Sequence, residues 1–272
     1  MRERGEQRGE GGLIVVKIGG STLGSGDTTL EDLVTLQQQG IIPVVVHGGG
    51  KLINQWLARQ GRQPGFVRGL RVTDAASLEV VTAVLAGLVN KSLVASILAK
   101  GGRAMGFSGV DGAILEASIA DAQLGLVGQV VRVNPQPLLT AVETGYIPVI
   151  APVGIHCLDG SSQSGTLLNI NGDTAAGEVA GALGAQRLIY LTDVQGVLDT
   201  SGRLMERLTV GQARALVQSG VVSGGMVPKL EGCIKALGRV LLAQIVDGRV
   251  PRALLTCLSD SALGTRVQTS FP

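Results

Sequence analysis

Lys17 stands in the apolar run Leu13-Ile-Val-Val-Lys-Ile18. An ammonium group is costly there unless an anion lies beside it or its stem snorkels to the surface. Glycine clusters close two such runs, Gly19-Gly20 after the first and Gly48-Gly49-Gly50 after Ile41-Ile-Pro-Val-Val-Val46. Glycine lets backbone N–H groups approach an anion closely, and a helix N-terminus adds the positive end of its dipole. Each cluster alone can be a tight turn, whereas two on neighbouring strands would cradle a phosphate. Asp173 follows Asn169-Ile-Asn-Gly at a predicted helix start, where an N-cap and a functional carboxylate are both open readings. Lys229 opens a further helix after Gly224-Gly225-Met-Val-Pro. A cation there opposes the dipole and calls for a reason such as a nearby phosphate, though a merely exposed lysine is the commoner case.

The phosphate chemistry suggested by these residues uses none of the common signatures. There is no Gly-x-Gly-x-x-Gly, which disfavours a nicotinamide oxidoreductase. Lys51 follows Gly50, but Leu52 and Val45 break the Walker A pattern. The loops of the protein-kinase fold are absent. His47 reads as a residue that orients its glycine loop rather than as a general base, and His156 as ordinary.

Strand-like and helix-like segments alternate along most of the chain. Residues 13–16, 41–46, 147–150 and 188–191 read as buried strands, and 252–256 as a last strand. Helices are predicted from an Asp27 cap to Gln39 with Gly40 as stop, from Lys51 to Gln60, and from Asp173 to Leu183. From Pro228, apolar Leu230, Ile234, Leu237, Leu241 and Ile245 follow helical spacing. This order calls for an α/β fold with a mostly parallel sheet between helices. Residues 107–133 break the pattern as hairpins or a flap would, and 160–165 read as a flexible turn.

The chain has 272 residues, enough for one large α/β domain or two small lobes, and its 23 basic and 21 acidic residues leave a charge of +2. That balance and only six aromatic residues disfavour a nucleic-acid partner. Cys157, Cys233 and Cys257 form no metal-binding or paired pattern, so they read as free thiols of a cytoplasmic protein. No uninterrupted apolar run approaches a membrane span, and residues 1–12 read as a flexible charged tail.

Six segments occur together in order: Val16-Lys-Ile-Gly-Gly20, Val46-His-Gly-Gly-Gly50, Gly69-Leu-Arg-Val-Thr-Asp74, Asn169-Ile-Asn-Gly-Asp173, Leu191-Thr-Asp-Val-Gln-Gly-Val-Leu198 and Ser223-Gly-Gly-Met-Val-Pro-Lys229. With them the chain resembles the acetylglutamate kinases of the amino-acid kinase family, from about residue 13 to 267. The resemblance implies a three-layer αβα sandwich around a mainly parallel, about eight-stranded sheet. It implies a single domain over 13–272, with an acyl-amino-acid lobe (about 13–170) and an ATP lobe (about 171–272). The implied reaction moves the γ-phosphoryl of ATP to the side-chain carboxylate of N-acetyl-L-glutamate, the second step of arginine biosynthesis.

By the same resemblance, Lys17 and Lys229 approach the transferring phosphoryl and Asp173 holds both ammonium groups. Gly20, Gly49 and Gly50 donate backbone N–H groups to the phosphoryl or the attacking carboxylate. Arg71 forks the substrate α-carboxylate, and Asn169 binds the amino-acid portion. Asp193, Val194, Gln195, Gly196, Val197 and Leu198, with Val221, Val222 and Ser223, match the nucleotide pocket. Mg²⁺ would accompany ATP without a protein ligand that can be named.

Rival readings share the fold. A kinase for carrier-linked α-aminoadipate resembles the chain at Leu88-Val-Asn-Lys91 and Ser108-Gly-Val-Asp-Gly112, while Phe66-Val-Arg-Gly-Leu-Arg-Val-Thr73 is closer to acetylglutamate kinases. A non-catalytic amino-acid or nucleotide sensor would be expected to lack Lys17, Asp173 or Lys229. The short segment before the first strand, with glycine at 5, 9, 11 and 12, argues against the long helix of arginine-inhibited hexamers. Residues 252–265 nevertheless resemble the C-terminal segment of the arginine-inhibited members; a homodimer without strong arginine inhibition is expected, and binding of a PII signalling protein stays open.

Overall fold

The β-branched runs form strands buried on both faces, as a parallel sheet under two helical layers requires. The computed structural model describes residues 12–19, 28–158, 162–259 and 263–270. The chain opens with β1 (Ile14–Ile18), α1 (Thr29–Gln38), β2 (Pro43–His47) and α2 (Gly50–Arg59). A small hairpin follows, β3 (Phe66–Val67) and β4 (Leu70–Arg71). One unbroken helical run comes next: α3 (Ala75–Thr82), a π-helical stretch (Ala83–Val89) and α4 (Asn90–Ala99). Then come β5 (Ala104–Ser108), β6 (Leu115–Ile119), β7 (Val127–Val133) and α5 (Gln136–Glu143). They lead to β8 (Ile147–Ala151), β9 (Val153–Leu158) and β10 (Ser162–Ile170). The remainder is α6 (Gly172–Leu183), β11 (Arg187–Thr192), β12 (Arg207–Thr209), α7 (Val210–Gln218) and α8 (Met226–Ala236). It ends with β13 (Leu242–Asp247), α9 (Ala253–Leu258) and β14 (Thr265–Gln268).

The main sheet has eight strands in the order β12-β14-β13-β11-β1-β2-β8-β5. The run from β13 to β5 is parallel throughout, and β14 pairs antiparallel with β13. One sheet face carries Val15, Val44, Val46, Leu188 and Tyr190 into a core with α5, α6, α7 and α8. The other carries Ile14, Val16, Ile18, Val45 and Ile189 against α1, α4 and α9. Strand order reverses at β1, whose neighbours β2 and β11 lie far apart in sequence, and ligands of open α/β sheets bind beyond strand ends at such a point.

The predicted three-layer arrangement is present, with several local differences. Residues 253–258 are helical, because the last strand is the later Thr265–Gln268, which fits between β12 and β13. The helical spacing from Pro228 runs past the true helix end at Ala236, and Ile245 belongs to β13 instead. An apolar residue every three or four positions is shared there by a helix and the strand that follows it. The irregular residues 107–133 divide between edge strand β5 and a small closed sheet, β10-β7-β6-β9. Residues 162–165 belong to β10, while 159–161 lie outside the described residues. Asp27 also lies outside them, and Gly40, at φ +83°, follows the end of α1 as expected.

By length and composition the 25-residue helical run Ala75–Ala99 could cross a membrane, although no uninterrupted apolar run in the sequence is that long. Glu79, Asn90 and Lys91 break its apolar stretches without breaking the helix. Its Val81, Val84, Leu85, Leu93 and Ile97 are buried in the protein core.

Candidate active site

Lys17 is the one charged residue of β1, and its side chain shares the sheet face of Val15. There it meets the first turn of α6. Lys17 Nζ lies 2.7 Å from Asp173 Oδ1, and Lys229 Nζ, from the first turn of α8, lies 3.1 Å from Asp173 Oδ2. The three side chains are 9%, 8% and 13% exposed for Lys17, Asp173 and Lys229. Burial alone would raise the Asp173 pKa, but the two ammonium groups outweigh it and hold the carboxyl below its ordinary value. Two ammonium groups on one carboxylate leave a net charge of +1 with little water around it. An isolated buried charge is expensive, so the cluster is arranged for an anion.

Asp173 is not the N-cap of its helix. Asn171 holds that position, its side chain accepting from the backbone N–H of Asp173 at 2.9 Å and of Thr174 at 3.1 Å. That leaves the Asp173 carboxylate for the lysines. Its backbone carbonyl accepts from the buried hydroxyl of Tyr190 at 2.9 Å.

The second glycine cluster leads from β2 into α2. A Cβ at Gly49 would press against Leu85 and Val89 of the π-helical stretch, whereas among the described residues nothing lies within 4 Å of one at Gly50. Beneath this loop His47 is fully buried. Asn90 lies 3.2 Å from its Nε2 and also donates to the Val149 carbonyl at 2.8 Å. Its Nδ1 is 3.0 Å from the Gly48 carbonyl. Burial above all lowers its pKa to about 4, so it is neutral at pH 7. With Nδ1–H donating and Nε2 accepting, neither nitrogen faces a substrate proton, which fits the loop-orienting role and not a general base.

Arg71 lies beside Gly50. Its Nη2 donates to Asn54 Oδ1 at 2.6 Å and the guanidinium covers the Phe66 ring at 4.9 Å. Nη1 is buried and has no hydrogen-bond partner among the described residues, a donor suited to a carboxylate. Asn169 joins this group through Thr73, donating to its hydroxyl at 2.9 Å, which in turn donates to the Arg71 carbonyl at 3.0 Å.

The predicted nucleotide residues occupy two loops. Asp193 to Leu198 follow β11, held by the Val197 N–H donating to Thr265 Oγ1 at 2.8 Å. Gly196 has φ +146° and a Cβ there would crowd Thr265 and Leu204, so glycine is required. Val221, Val222 and Ser223 form the turn between α7 and α8. Val197 and Val222 anchor both loops in one core, while Val194, Leu198 and Val221 remain exposed apolar surface. Gly20 lies outside the described residues.

The fold thus brings together Lys17, Asp173 and Lys229, and separately Gly50, Arg71 and Asn169. Sequence reasoning missed Asn54, Thr73, Asn90, Asn171 and Tyr190. Thr73, Asn90 and Asn171 stood inside quoted segments, but nothing in the spacing marked Asn54 or Tyr190. Among the described residues no cluster of three or more His, Cys, Asp or Glu could hold a metal ion.

A parallel sheet with a cationic cluster and glycine loops at its strand ends is the setting of a phosphate-handling enzyme. The chain belongs to the amino acid kinase family, whose pattern matches residues 12–247. The acetylglutamate kinase of Dehalococcoides mccartyi strain CBDB1 is 45% identical over 255 residues, 94% of each chain. That of Dinoroseobacter shibae is 46% identical over 267 residues, 96% of this chain and 91% of its own. Among solved structures, N-acetylglutamate synthase from Neisseria gonorrhoeae, complexed with coenzyme A and N-acetyl-glutamate, superposes with a TM-score of 0.81 at 27% identity. That match covers 96% of this chain and 60% of the synthase. The Giardia carbamate kinase, at 14% identity and TM-score 0.69, shares the fold over 96% of this chain and all of its own.

Proposed function

We propose that this protein phosphorylates the side-chain carboxylate of N-acetyl-L-glutamate with ATP, giving N-acetyl-L-glutamyl 5-phosphate in arginine biosynthesis. Full-length identity of about 45% to acetylglutamate kinases supports the substrate assignment. The phosphoryl-transfer mechanism rests on one observation, the buried Lys17–Asp173–Lys229 cluster of net charge +1.

In the reaction a carboxylate oxygen forms a bond to the γ-phosphorus as the bond to the ADP oxygen breaks, and ADP leaves with its electron pair. The nucleophile is already ionised at neutral pH, so no general base is needed. Catalysis is then alignment and charge neutralisation. Lys17 and Lys229 hold the equatorial oxygens of the moving group, and Asp173 keeps the two ammonium groups apart and aimed. Backbone N–H groups of Gly20, Gly49 and Gly50 add to the cradle. Arg71 uses its unpartnered Nη1 on the substrate α-carboxylate, and Asn169 holds the acyl amino acid. The exposed apolar side chains of Val194, Leu198 and Val221 suit an adenine face, with the rest of 193–198 and 221–223 around the ribose. Mg²⁺ bound with ATP would neutralise charge on the phosphates, and Asp173, the carboxylate of the cluster, is already paired with two lysines, so no protein ligand to the ion can be named.

In this reading residues 13–170 form the acyl-amino-acid lobe and 171–272 the ATP lobe. The protein works in the cytoplasm as a homodimer little affected by arginine. The test is ATP-dependent formation of the acyl phosphate, trapped as the hydroxamate, from N-acetylglutamate, glutamate and N-acetyl-α-aminoadipate side by side. A clear preference for N-acetylglutamate is expected. ATP binding without turnover of any of the three would overturn the assignment in favour of a carrier-dependent kinase or a sensor.

A further inference from the structure

Lys17 and Tyr190 are register partners on the neighbouring parallel strands β1 and β11, so their side chains rise from the same sheet face toward the same turn of α6. One takes the Asp173 carboxylate at 2.7 Å and the other the Asp173 carbonyl at 2.9 Å. Tyr190 is fully buried, and burial raises its pKa well above the ordinary value, so its hydroxyl stays a donor at every working pH.

The same turn is fixed from above by α8. Helices α6 and α8 cross with backbone against backbone. A Cβ at Gly177 would stand 2.7 Å from the Gly232 carbonyl oxygen, and one at Gly232 would overlap the Tyr190 hydroxyl and come within 2.9 Å of the Asp173 carbonyl. Gly232 lies one turn beyond Lys229 on α8. The close approach therefore sets how far Lys229 stands from Asp173.

We propose that Tyr190 and the Gly177–Gly232 contact are positioning elements that fix Asp173 between Lys17 and Lys229. This rests on the active-site reading above, because they act only through that cluster. A misplacement of the ammonium groups by a fraction of an ångström would be felt in the transition state and hardly in substrate binding.

The experiment compares steady-state kinetics and thermal unfolding of Tyr190→Phe, Gly232→Ala, Asp173→Asn and Gly181→Ala. Gly181 lies on α6, and among the described residues only the Arg239 side chain, at 3.8 Å, comes near a Cβ placed there. Tyr190→Phe is expected to lower kcat about tenfold with both KM values within about twofold of the parent, as for an interaction that matters mainly in the transition state. Gly232→Ala should do the same or more where it folds, and Gly181→Ala should leave kcat unchanged. If Tyr190→Phe lowers only the unfolding temperature and keeps kcat, the residue merely packs and the proposal is wrong. If Asp173→Asn itself keeps near-normal kcat, the fault lies in the active-site reading instead.

Discussion

At Lys17, Asp173 and Lys229 a small surplus of positive charge is held almost out of water, and its value depends on staying aimed. Removing one preorganised charge from such a site typically costs about 100-fold or more in kcat. Lys17→Ala and Lys229→Ala should each show a loss of that order in the hydroxamate assay while keeping a native far-ultraviolet circular dichroism spectrum. Near-normal turnover in either would remove that lysine from the mechanism. His47 gives a pH signature. Its native pKa of about 4 lies below its unfolded value of 6.5, so its neutral burial contributes stability that is complete above pH 6.5 and is lost as pH falls toward 4. Between pH 7 and 5 the loss should be about 2 kcal/mol. Asp173, with a lowered carboxyl pKa, acts in a separate window: its contribution is present above its ordinary 3.8 and fades only below it. Urea denaturation at pH 7 and pH 5 should therefore show a smaller drop in His47→Gln than in the parent. Equal drops would mean His47 is not the titrating group.

Among the elements, α6 and α7 have well-formed caps of unequal consequence. Thr209 and Gln212 make a reciprocal capping box on α7, with no tie to the lysine cluster. Asn171 caps α6 one residue from Gly172, whose missing side chain leaves Lys17 Cε and the His47 carbonyl close by. Thr209→Ala and Asn171→Ala should each cost about 1 kcal/mol of stability in urea titrations. Only Asn171→Ala should also lower kcat, because it frees the turn that carries Asp173. Equal activity in the two variants would mean the first turn of α6 is held by Tyr190 and α8 alone.

For the whole molecule, the unshielded surface is informative. Leu88, Leu98 and Met105 are exposed at 43%, 51% and 39% along the helical run and the edge strand β5. Large exposed apolar side chains grouped in this way mark association surfaces. If the protein forms the homodimer proposed above, that interface should bury them. Light scattering should give twice the chain mass for the parent and a single chain mass for Leu88→Glu combined with Leu98→Glu. A double variant that remains dimeric would place the interface elsewhere.

The sequence by itself determined the sandwich and its motifs. A short β-branched apolar run such as Ile41–Val46, closed by glycines, reads as a strand buried on both faces, and residues 43–47 form it; a glycine cluster after such a run marks a strand end where a ligand can be met. Lys17 was legible for a similar reason, since a cation inside an apolar run needs an explanation. Local periodicity failed where two elements share one apolar rhythm, as from Leu230 to Ile245, and where the sheet took a later segment than residues 252–256 between β12 and β13. Only the tertiary structure decided which residues meet. Tyr190 comes under Asp173 because β11 lies beside β1 in register, and Gly232 comes over it because two helices cross without side chains between them. Asn54 reaches Arg71 across a turn and a hairpin. Spacing along the chain carries no trace of such contacts, because strand pairing and helix crossing bring together residues that the sequence keeps far apart.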